Sequence, residues 1–282
     1  MKLLTFDIEE FYHLLSVNVS EDVKDSYSVL DRVCTDILAL LQMSSNKAMF
    51  FVVGEIAHKN KSLIRKIDEA GHVVGTHSMS HQLHSQMSDK EFVEDLLQSK
   101  SVLEDILGKP VSTYRAPGFS LTADFLRRYE VLRDCGIKLD FSIFLDGGSH
   151  GGIKRQIIEK YRMDKYSYEI AGVRSFPFVK SRVLGAHVPL LGGGYFRLFP
   201  AQVILRAARQ SEYCMTYFHP RDFDPNQPVV KNLSLTRRFK SYVGLSGATN
   251  KLRSLVLENQ WTDPRSLLDL ELGLVEPSEG KL

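Results

Sequence analysis

Residues 48–54 have the sequence Ala-Met-Phe-Phe-Val-Val-Gly, a continuous apolar run that ends at a glycine. Such a run is typical of a β-strand that is covered on both faces, as in a parallel sheet. Shorter strand-like runs recur along the chain at Leu3–Phe6, His72–Thr76, Thr113–Arg115, Leu139–Phe144 and Tyr213–Phe218. The sequence therefore predicts a sheet whose strands are spread over about the first 220 residues.

Helical patterns separate these strands. The strongest begins with Ser88 and Glu91, which form a capping-box pattern, and ends at Gly108. Regular alternation of strands and helices predicts an α/β fold with a parallel sheet, either a barrel or an open doubly wound sheet. We expect a single domain over residues 1–262 and a turn-rich tail over residues 263–282, with Gly192-Gly193-Gly194 as a loop.

The composition of the 282 residues is that of a globular protein, with 43% hydrophobic and 25% charged residues and a net charge of +2. These values exclude a collagen-like or disordered chain. Because 36 basic residues are balanced by 34 acidic ones, nucleic acid is not an expected partner. Cys34, Cys135 and Cys214 are far apart and form no CxxC pair, which argues against a disulfide framework or a cysteine zinc site.

The N-terminus lacks the pattern of a signal peptide. Acidic residues, beginning with Asp7, interrupt the apolar run Leu3–Phe6 well before the roughly 7–15 apolar residues that a signal peptide needs. No window approaches the ~18–20 apolar residues of a membrane span. We therefore expect a cytoplasmic protein without an integral membrane segment, able to act at the inner face of the membrane.

Polar residues follow the predicted strands at the ends where parallel α/β folds build their sites. They are Asp7, Glu9, Glu10, His77, His81, Arg115, Asp140 and His219. The four-residue spacing of His77 and His81 is one helical turn, so both imidazoles can face one metal ion. Alone, the pair is more typical of capping or surface histidines than of metal ligands. With one carboxylate it forms a hydrolytic metal set with open positions.

Four stretches carry a family resemblance. They are Thr5–Glu9, Gly75–His81, Tyr114–Gly118 and Tyr217–Pro220, and the order of these motifs is that of polysaccharide deacetylases, the NodB-like carbohydrate esterases. The run Gly192–Pro200 resembles a branch found among bacterial exopolysaccharide and surface-glycan proteins. The resemblance implies a deformed (β/α)7 barrel and the metal-dependent removal of an acetyl group from an acetamido sugar, most simply N-acetyl, with O-acetyl as the alternative.

The resemblance also implies roles for individual residues. Asp7 would be the general base, and Glu9, His77 and His81 would hold a divalent cation, Zn²⁺ first, with Co²⁺, Ni²⁺ or Fe²⁺ as alternatives. Arg115 would orient Asp7, and His219 would protonate the leaving amine under the influence of Asp140. The Gly118 amide would donate to the oxyanion, and Tyr195 is a candidate substrate contact.

One departure from the family pattern leaves alternatives open. The usual motif has adjacent aspartates, whereas here Ile8 follows Asp7 and the candidate ligand is Glu9 or, less favoured, Glu10. Because alternate residues of an extended segment share a face, Asp7 and Glu9 can still converge. A glycan-binding or assembly protein without activity and a metal-free amidohydrolase stay as alternatives. The sugar, its nucleotide, lipid or polymer attachment and the oligomeric state are open.

Overall fold

The computed structural model of this chain describes residues 1–15, 28–148, 150–183, 185–230 and 233–274. Its largest sheet has seven strands in the order β2-β3-β4-β5-β6-β8-β7, all parallel except for the edge strand β7. The strands are β1 Lys2–Leu3, β2 Thr5–Ile8, β3 Met49–Val52, β4 Val73–Thr76, β5 Thr113–Tyr114, β6 Leu139–Asp140, β7 Tyr168–Ile170, β8 Val173–Ser175, β9 Ser181–Val183, β10 Ala186–Val188 and β11 Cys214–Met215. Strands β9 and β10 form a separate antiparallel pair.

The first two strands connect the two halves of the chain. Strand β2 pairs with β3, while β1 pairs in parallel with β11, and a parallel bridge between Phe6 and Phe218 extends that second pairing. Segment 2–8 therefore lies between an early strand and a late one. Because both pairings are parallel, the loops that follow β2 and β11 emerge at the same edge.

The sheet curves so that β8 and β11 approach each other through side chains. The Tyr213 hydroxyl donates to the Pro177 carbonyl oxygen at 2.6 Å, and the rings of Phe178 and Tyr217 lie 4.8 Å apart. The interior holds a buried cluster whose larger members include Phe51, Phe119, Phe141, Phe144, Phe176 and Phe178. This arrangement has the features of a deformed barrel, in which aromatic packing closes the last gap.

Helices cover the outside of this sheet. Those described are α1 Phe11–Leu15, α2 Leu30–Ser44, α3 Gly54–Lys59, α4 Lys61–Glu69, α5 Asp89–Leu107, α6 Arg128–Asp134, α7 Arg155–Ile158, α8 Gly193–Leu198, α9 Ala201–Gln210, α10 Leu235–Tyr242, α11 Leu245–Leu257 and α12 Pro264–Glu271. Helix α5 begins with the predicted capping box of Ser88 and Glu91. Within the described ranges, no helix meets the length and hydropathy that a bilayer crossing requires.

Two sequence-based expectations need correction here. Gly192–Gly194 is not a loop, because helix α8 begins at Gly193 and Gly192 is its extended N-cap. A Cβ at Gly192 would lie 2.3 Å from the Tyr217 ring, so close packing against this aromatic residue explains the glycine. The predicted turn-rich tail includes helix α12, whose Leu267 is buried in the interior cluster. Residues 275–282 of that tail lie outside the described residues.

Candidate active site

Strand β2 directs alternate side chains to opposite sides of the sheet. Phe6 and Ile8 belong to the cluster that packs under the helices, while Asp7 and Glu9 converge on the opposite side. His219 Nε2 lies 3.9 Å from Asp7 Oδ2 and 3.5 Å from Glu9 Oε1. The two-residue period of an extended segment thus brings both carboxylates to one point, even though Ile8 separates them.

Glu9, His77 and His81 form a candidate metal centre. One ligand atom from each lies within 4.8 Å of the others, and His81 Nε2 is 2.6 Å from Glu9 Oε2. Glu9 is fully buried, and its two oxygens face ring nitrogens of His81 and His219 without a well-aligned hydrogen bond among the described residues. A buried carboxylate requires compensation by a cation or by hydrogen bonds. One carboxylate and two imidazoles are a donor set that fits a divalent transition-metal ion.

The protonation of these groups suits the same role. Burial acts to raise the pKa of Glu9, but the charges of His81, His219 and His77 outweigh it and hold the pKa below its ordinary value. Burial lowers the pKa of His77 to about 4, so its imidazole is neutral. His77 Nδ1 lies 2.8 Å from the Arg115 carbonyl oxygen, to which a neutral ring donates while Nε2 keeps its lone pair.

The two histidines meet through a loop rather than a helical turn, which corrects the helical interpretation of their spacing. His77 follows β4 directly, and Ser78 and His81 both have positive φ angles, of 71° and 59°. Asp95 on α5 holds this loop, because its carboxylate accepts from Ser78 Oγ and from the Met79 amide at 3.0 Å. Asp95 thus stabilises a backbone path that side-chain spacing alone does not specify.

Arg115 is fully buried and oriented on Asp7. Its Nη1 donates to Asp7 Oδ1 at 2.6 Å and to Thr5 Oγ1 at 2.9 Å. The guanidinium lies over the Phe51 ring, 4.3 Å from the centroid, a cation–π contact that offsets part of its desolvation. The predicted pairing of Arg115 with Asp7 is present, with the second carboxylate oxygen turned toward His219.

His219 is oriented by Asp222, a residue that the sequence analysis did not select. His219 Nδ1 lies 3.0 Å from Asp222 Oδ2, and that oxygen also accepts from the His219 amide. Burial acts to lower the pKa of His219, but the hydrogen bond and charge of Asp222, with the charges of Glu9 and Asp7, raise it to about 9. His219 is therefore protonated at neutral pH and can donate a proton from Nε2.

Arg197 completes this second charged group. Its Nε lies 3.1 Å from Asp222 Oδ1, and both side chains are buried. Burial acts to raise the pKa of Asp222, but the charge of Arg197 and the hydrogen bond of His219 lower it. The other guanidinium nitrogens donate to the carbonyl oxygens of Lys240, Ser241 and Val243 at the end of α10. Arg197 thus joins helix α10 to the residue that orients His219.

The predicted influence of Asp140 on His219 is wrong in this structure. Asp140 is buried at the end of β6, where its carboxylate accepts from Tyr129 Oη and Ser175 Oγ, each at 2.6 Å, and from the Ser142 amide. Burial raises its pKa despite these bonds. Asp140 ends a different strand from the one that precedes His219, and its carboxylate belongs to the Tyr129–Ser175 network.

Glu10 has a structural role on the other side of β2. Its Oε1 accepts from Ser28 Oγ at 2.5 Å, and its Oε2 accepts from the Val29 amide next to the start of α2. Burial raises the pKa of Glu10. Of the two candidate carboxylates, Glu9 is the one that lies with the histidines.

Gly118 lies in the short turn that follows β5, whereas Tyr195 lies on helix α8 and not in a loop. Gly118 has a φ of 60°, and an added Cβ would lie 3.2 Å from Leu83 and 3.3 Å from His150, so this turn requires glycine. Tyr195 is on α8 with 37% of its surface exposed. Burial raises the pKa of Tyr217, whose ring lies 6.1 Å from that of His219. The roles of Gly118 and Tyr195 toward a substrate stay predictions.

Comparison with known families divides the chain into two matched parts. Residues 3–139 match the family model described as "Polysaccharide deacetylase". The chain is thus related to polysaccharide deacetylases through its N-terminal half. Residues 143–269 match a second model, described only as "Domain of unknown function (DUF3473)". The deacetylase half holds Asp7, Arg115 and the candidate metal ligands, and the second half holds His219, Asp222 and Arg197.

Curated relatives match short segments of this chain. A peptidoglycan-N-acetylglucosamine deacetylase of Bacillus cereus is 32% identical over 82 residues, which are 29% of this chain and 38% of that protein. A chitin deacetylase of a Pestalotiopsis species is 29% identical over 92 residues, 32% of this chain and 31% of that protein. The matched segments thus span about a third of the length of each of these relatives.

Solved structures extend the likeness to the whole fold. A proposed polysaccharide deacetylase from Mycobacterium smegmatis superposes with a TM-score of 0.64 at 16% identity, covering 100% of this chain and 94% of that one. An activity-restored mutant of a carbohydrate esterase family 4 pseudoenzyme superposes with a TM-score of 0.51 at 14% identity, covering 92% and 61%. The predicted NodB-type α/β fold in a single domain is confirmed, with strands of both matched parts in one barrel.

Two residues of the candidate site that the sequence analysis missed, Asp222 and Arg197, have only weak signals in the sequence. Asp222 follows His219-Pro220-Arg221, and an acidic residue three positions after a helix-capping residue is a known capping pattern. Arg197 lies within the Gly192–Pro200 run, in which the sequence analysis identified only the glycines and Tyr195 as candidates. Each residue acts through a contact that forms only in the folded protein: Asp222 orients His219, and Arg197 pairs with Asp222.

Proposed function

We propose that this protein is a divalent-metal-dependent deacetylase that hydrolyses an N-acetyl group of an acetamido sugar in a bacterial surface polysaccharide or its precursor. The observation that carries the proposal is the convergence of Glu9, His77 and His81 on one point, with both Glu9 oxygens buried and facing ring nitrogens of His81 and His219. The likeness of residues 3–139 to polysaccharide deacetylases supports the same chemistry.

The residues around the candidate metal centre have separate roles in amide hydrolysis. A divalent cation in this site would supply Lewis-acid polarisation of the acetyl carbonyl and lower the pKa of water. Asp7, held by Arg115, accepts the proton of the attacking water through the oxygen that faces His219. His219, protonated and oriented by Asp222, donates a proton to the leaving nitrogen, without which an amine leaves poorly.

The substrate class rests on the relatives and is broader than one sugar. The similar proteins of known name act on peptidoglycan N-acetylglucosamine or chitin, which share an N-acetylated hexosamine. The surface-glycan assignment, whether O-antigen, capsule or exopolysaccharide, follows the sequence resemblance of the Gly192–Pro200 run. Zn²⁺ is the proposed cation because two imidazoles and a carboxylate match its common catalytic sites. The cytoplasmic location stays a prediction.

Acetate release from N-acetylglucosamine oligomers tests the proposal. Chelator-stripped protein is assayed alone and after addition of Zn²⁺, Co²⁺, Ni²⁺ or Fe²⁺, with metal content measured in parallel. We expect turnover only in the reloaded protein and a loss of at least ~100-fold in Asp7→Asn and His81→Ala. Asp31→Asn and His58→Ala, which change exposed residues of the same types, are the matched controls.

Each alternative function has its own outcome in this experiment. Full turnover after chelation would indicate a metal-free amidohydrolase and would contradict the metal requirement. Oligomer binding by the metal-loaded protein without acetate release, over a panel of acetamido sugars, would indicate a glycan-binding protein. Unchanged turnover in both Asp7→Asn and His81→Ala would remove the proposed site altogether.

A further inference from the structure

Helix α10 presents a face that its own fold does not bury. All residues from Leu235 to Lys240 are exposed, including two large apolar side chains. Leu235 is 85% exposed and Phe239 is 56% exposed. Because these residues are four apart, they lie on one face of the helix and form a continuous apolar stripe. A stripe of this kind on the surface indicates a binding partner.

Basic residues border this stripe on both sides. Arg238 and Lys240 each lie one residue from Phe239, and a step of about 100° per residue places them on opposite sides of the ring. We call Leu235, Arg238, Phe239 and Lys240 the basic–apolar face. The surrounding sequence has the same sign of charge, because residues 225–257 contain no aspartate or glutamate. The basic residues of that segment are Lys231, Arg237, Arg238, Lys240, Lys251 and Arg253.

The combination of exposed apolar and basic side chains favours one class of binding partner over the others. An acidic glycan or free phosphate would pair with the basic groups and leave Leu235 and Phe239 in water. A second copy packed face to face would bring two positively charged segments together, which like-charge repulsion opposes. An anionic bilayer meets both needs, since lipid headgroups attract the cations while the apolar stripe enters the acyl boundary.

The basic–apolar face is mechanically tied to the active site. Arg197 donates to the carbonyl oxygens of Lys240 and Ser241 at one end and pairs with Asp222 at the other. The amide and ring of His219 bond to that same Asp222. Helix α10 and His219 therefore hold a fixed relation through two buried side chains. A surface bound by α10 is held at a set position relative to the catalytic groups.

We propose that the basic–apolar face docks this protein on an anionic lipid surface. Docking holds the site beside the bilayer, where a lipid-attached or membrane-emerging glycan is concentrated. The docking itself does not depend on the deacetylase activity, and it can be measured without substrate. The basic–apolar face would provide the membrane contact for the predicted action at the inner face of a membrane.

Vesicle co-sedimentation of the full chain tests the docking. We expect the protein to sediment with vesicles of phosphatidylglycerol and phosphatidylcholine and to stay in solution with phosphatidylcholine alone. Leu235→Gln/Phe239→Gln and Arg238→Gln/Lys240→Gln should each lower the bound-to-free ratio at least tenfold, and salt should lower that of the unaltered protein. Glutamine is a good helix former, so α10 itself should persist in the variants.

Matched variants make the result specific. Leu97→Gln/Met163→Gln removes two exposed apolar side chains elsewhere, and Lys59→Gln/Lys61→Gln removes two exposed charges. Both should sediment like the unaltered protein, and all variants should keep its circular dichroism. The proposal fails if the unaltered protein does not sediment with anionic vesicles. It also fails if the α10 variants bind these vesicles as well as the unaltered protein does. It also fails if sedimentation velocity shows a dimer that only Leu235→Gln/Phe239→Gln dissociates.

Discussion

His219 and Asp222 bond to each other twice, since one Asp222 oxygen accepts from the His219 amide and lies 3.0 Å from Nδ1 of its ring. The first contact fixes the backbone of the loop after β11, and the second fixes the ring. As a result, Nε2 faces Asp7 and Glu9. The Arg197 guanidinium, on the far side of Asp222, keeps that carboxylate charged.

Asp222→Asn should therefore impair turnover more than substrate binding. The amide removes the negative charge that supports a protonated His219, and the ring loses its fixed orientation. We expect kcat to fall ~100-fold or more while KM changes little, because proton donation is needed only as the nitrogen leaves. Steady-state acetate release measures both constants. Asp224→Asn, two residues away, is the control, and an equal loss there would contradict a specific role for Asp222.

Asp140→Asn should affect stability rather than catalysis. The asparagine side chain replaces one acceptor oxygen by a donor group in a buried network with Tyr129 and Ser175. A buried mismatch of this kind costs about 1–3 kcal/mol. Thermal unfolding should show a decrease of several degrees, with kcat of the folded protein within about threefold of the original. A large loss of kcat at unchanged thermal stability would restore the role predicted from the sequence.

Asp95→Ala should weaken metal binding without touching a ligand. The aspartate holds Ser78 and Met79 in the loop that carries His81 at a positive φ. Loss of such supporting contacts typically lowers metal affinity 10–100-fold. Competition with a chromogenic chelator measures the affinity directly. Glu94→Ala, an exposed neighbour on the same helix, is the matched control, and equal affinity in both variants would exclude the supporting role.

His72→Asn should make the protein less sensitive to acid. Burial, aided by the charges of Lys47 and Arg265, lowers the pKa of His72 from 6.5 to about 4. Between pH 4 and pH 6.5, His72 is therefore protonated in the unfolded chain and neutral in the folded protein. The free energy of unfolding falls as the pH falls from 6.5 toward 4, and this contribution is complete above 6.5.

The same substitution leaves the local hydrogen bond in place. His72 Nδ1 accepts from the Ala48 amide, and an asparagine oxygen can accept there without titrating. Melting temperatures between pH 7 and pH 4 should thus decline less steeply in His72→Asn. The exposed His58→Asn is the comparison variant. An unchanged slope in His72→Asn would show that this histidine does not titrate with unfolding.

Local patterns in the sequence were enough to predict much of this protein. Apolar runs and capping residues predicted strands β1–β6 and β11 and helix α5, because secondary structure and its ends depend on neighbouring residues. They did not predict strands β7–β10. The two-residue period predicted that Asp7 and Glu9 share a face. Polar residues at strand ends predicted the edge where the site lies, since parallel strands bring their carboxyl ends together.

Tertiary structure alone decided which charged groups meet. Asp140 and Asp222 are both acidic residues near strand ends, yet Asp222 bonds to His219 while Asp140 bonds to Tyr129. The loop path of His77 and His81 depends on Asp95 from another element, and Arg197 depends on α10. Some of these pairings join residues that are distant in the chain. Others depend on backbone conformations that the sequence did not predict. Sequence periodicity specifies the face of an element, whereas packing specifies what lies opposite that face.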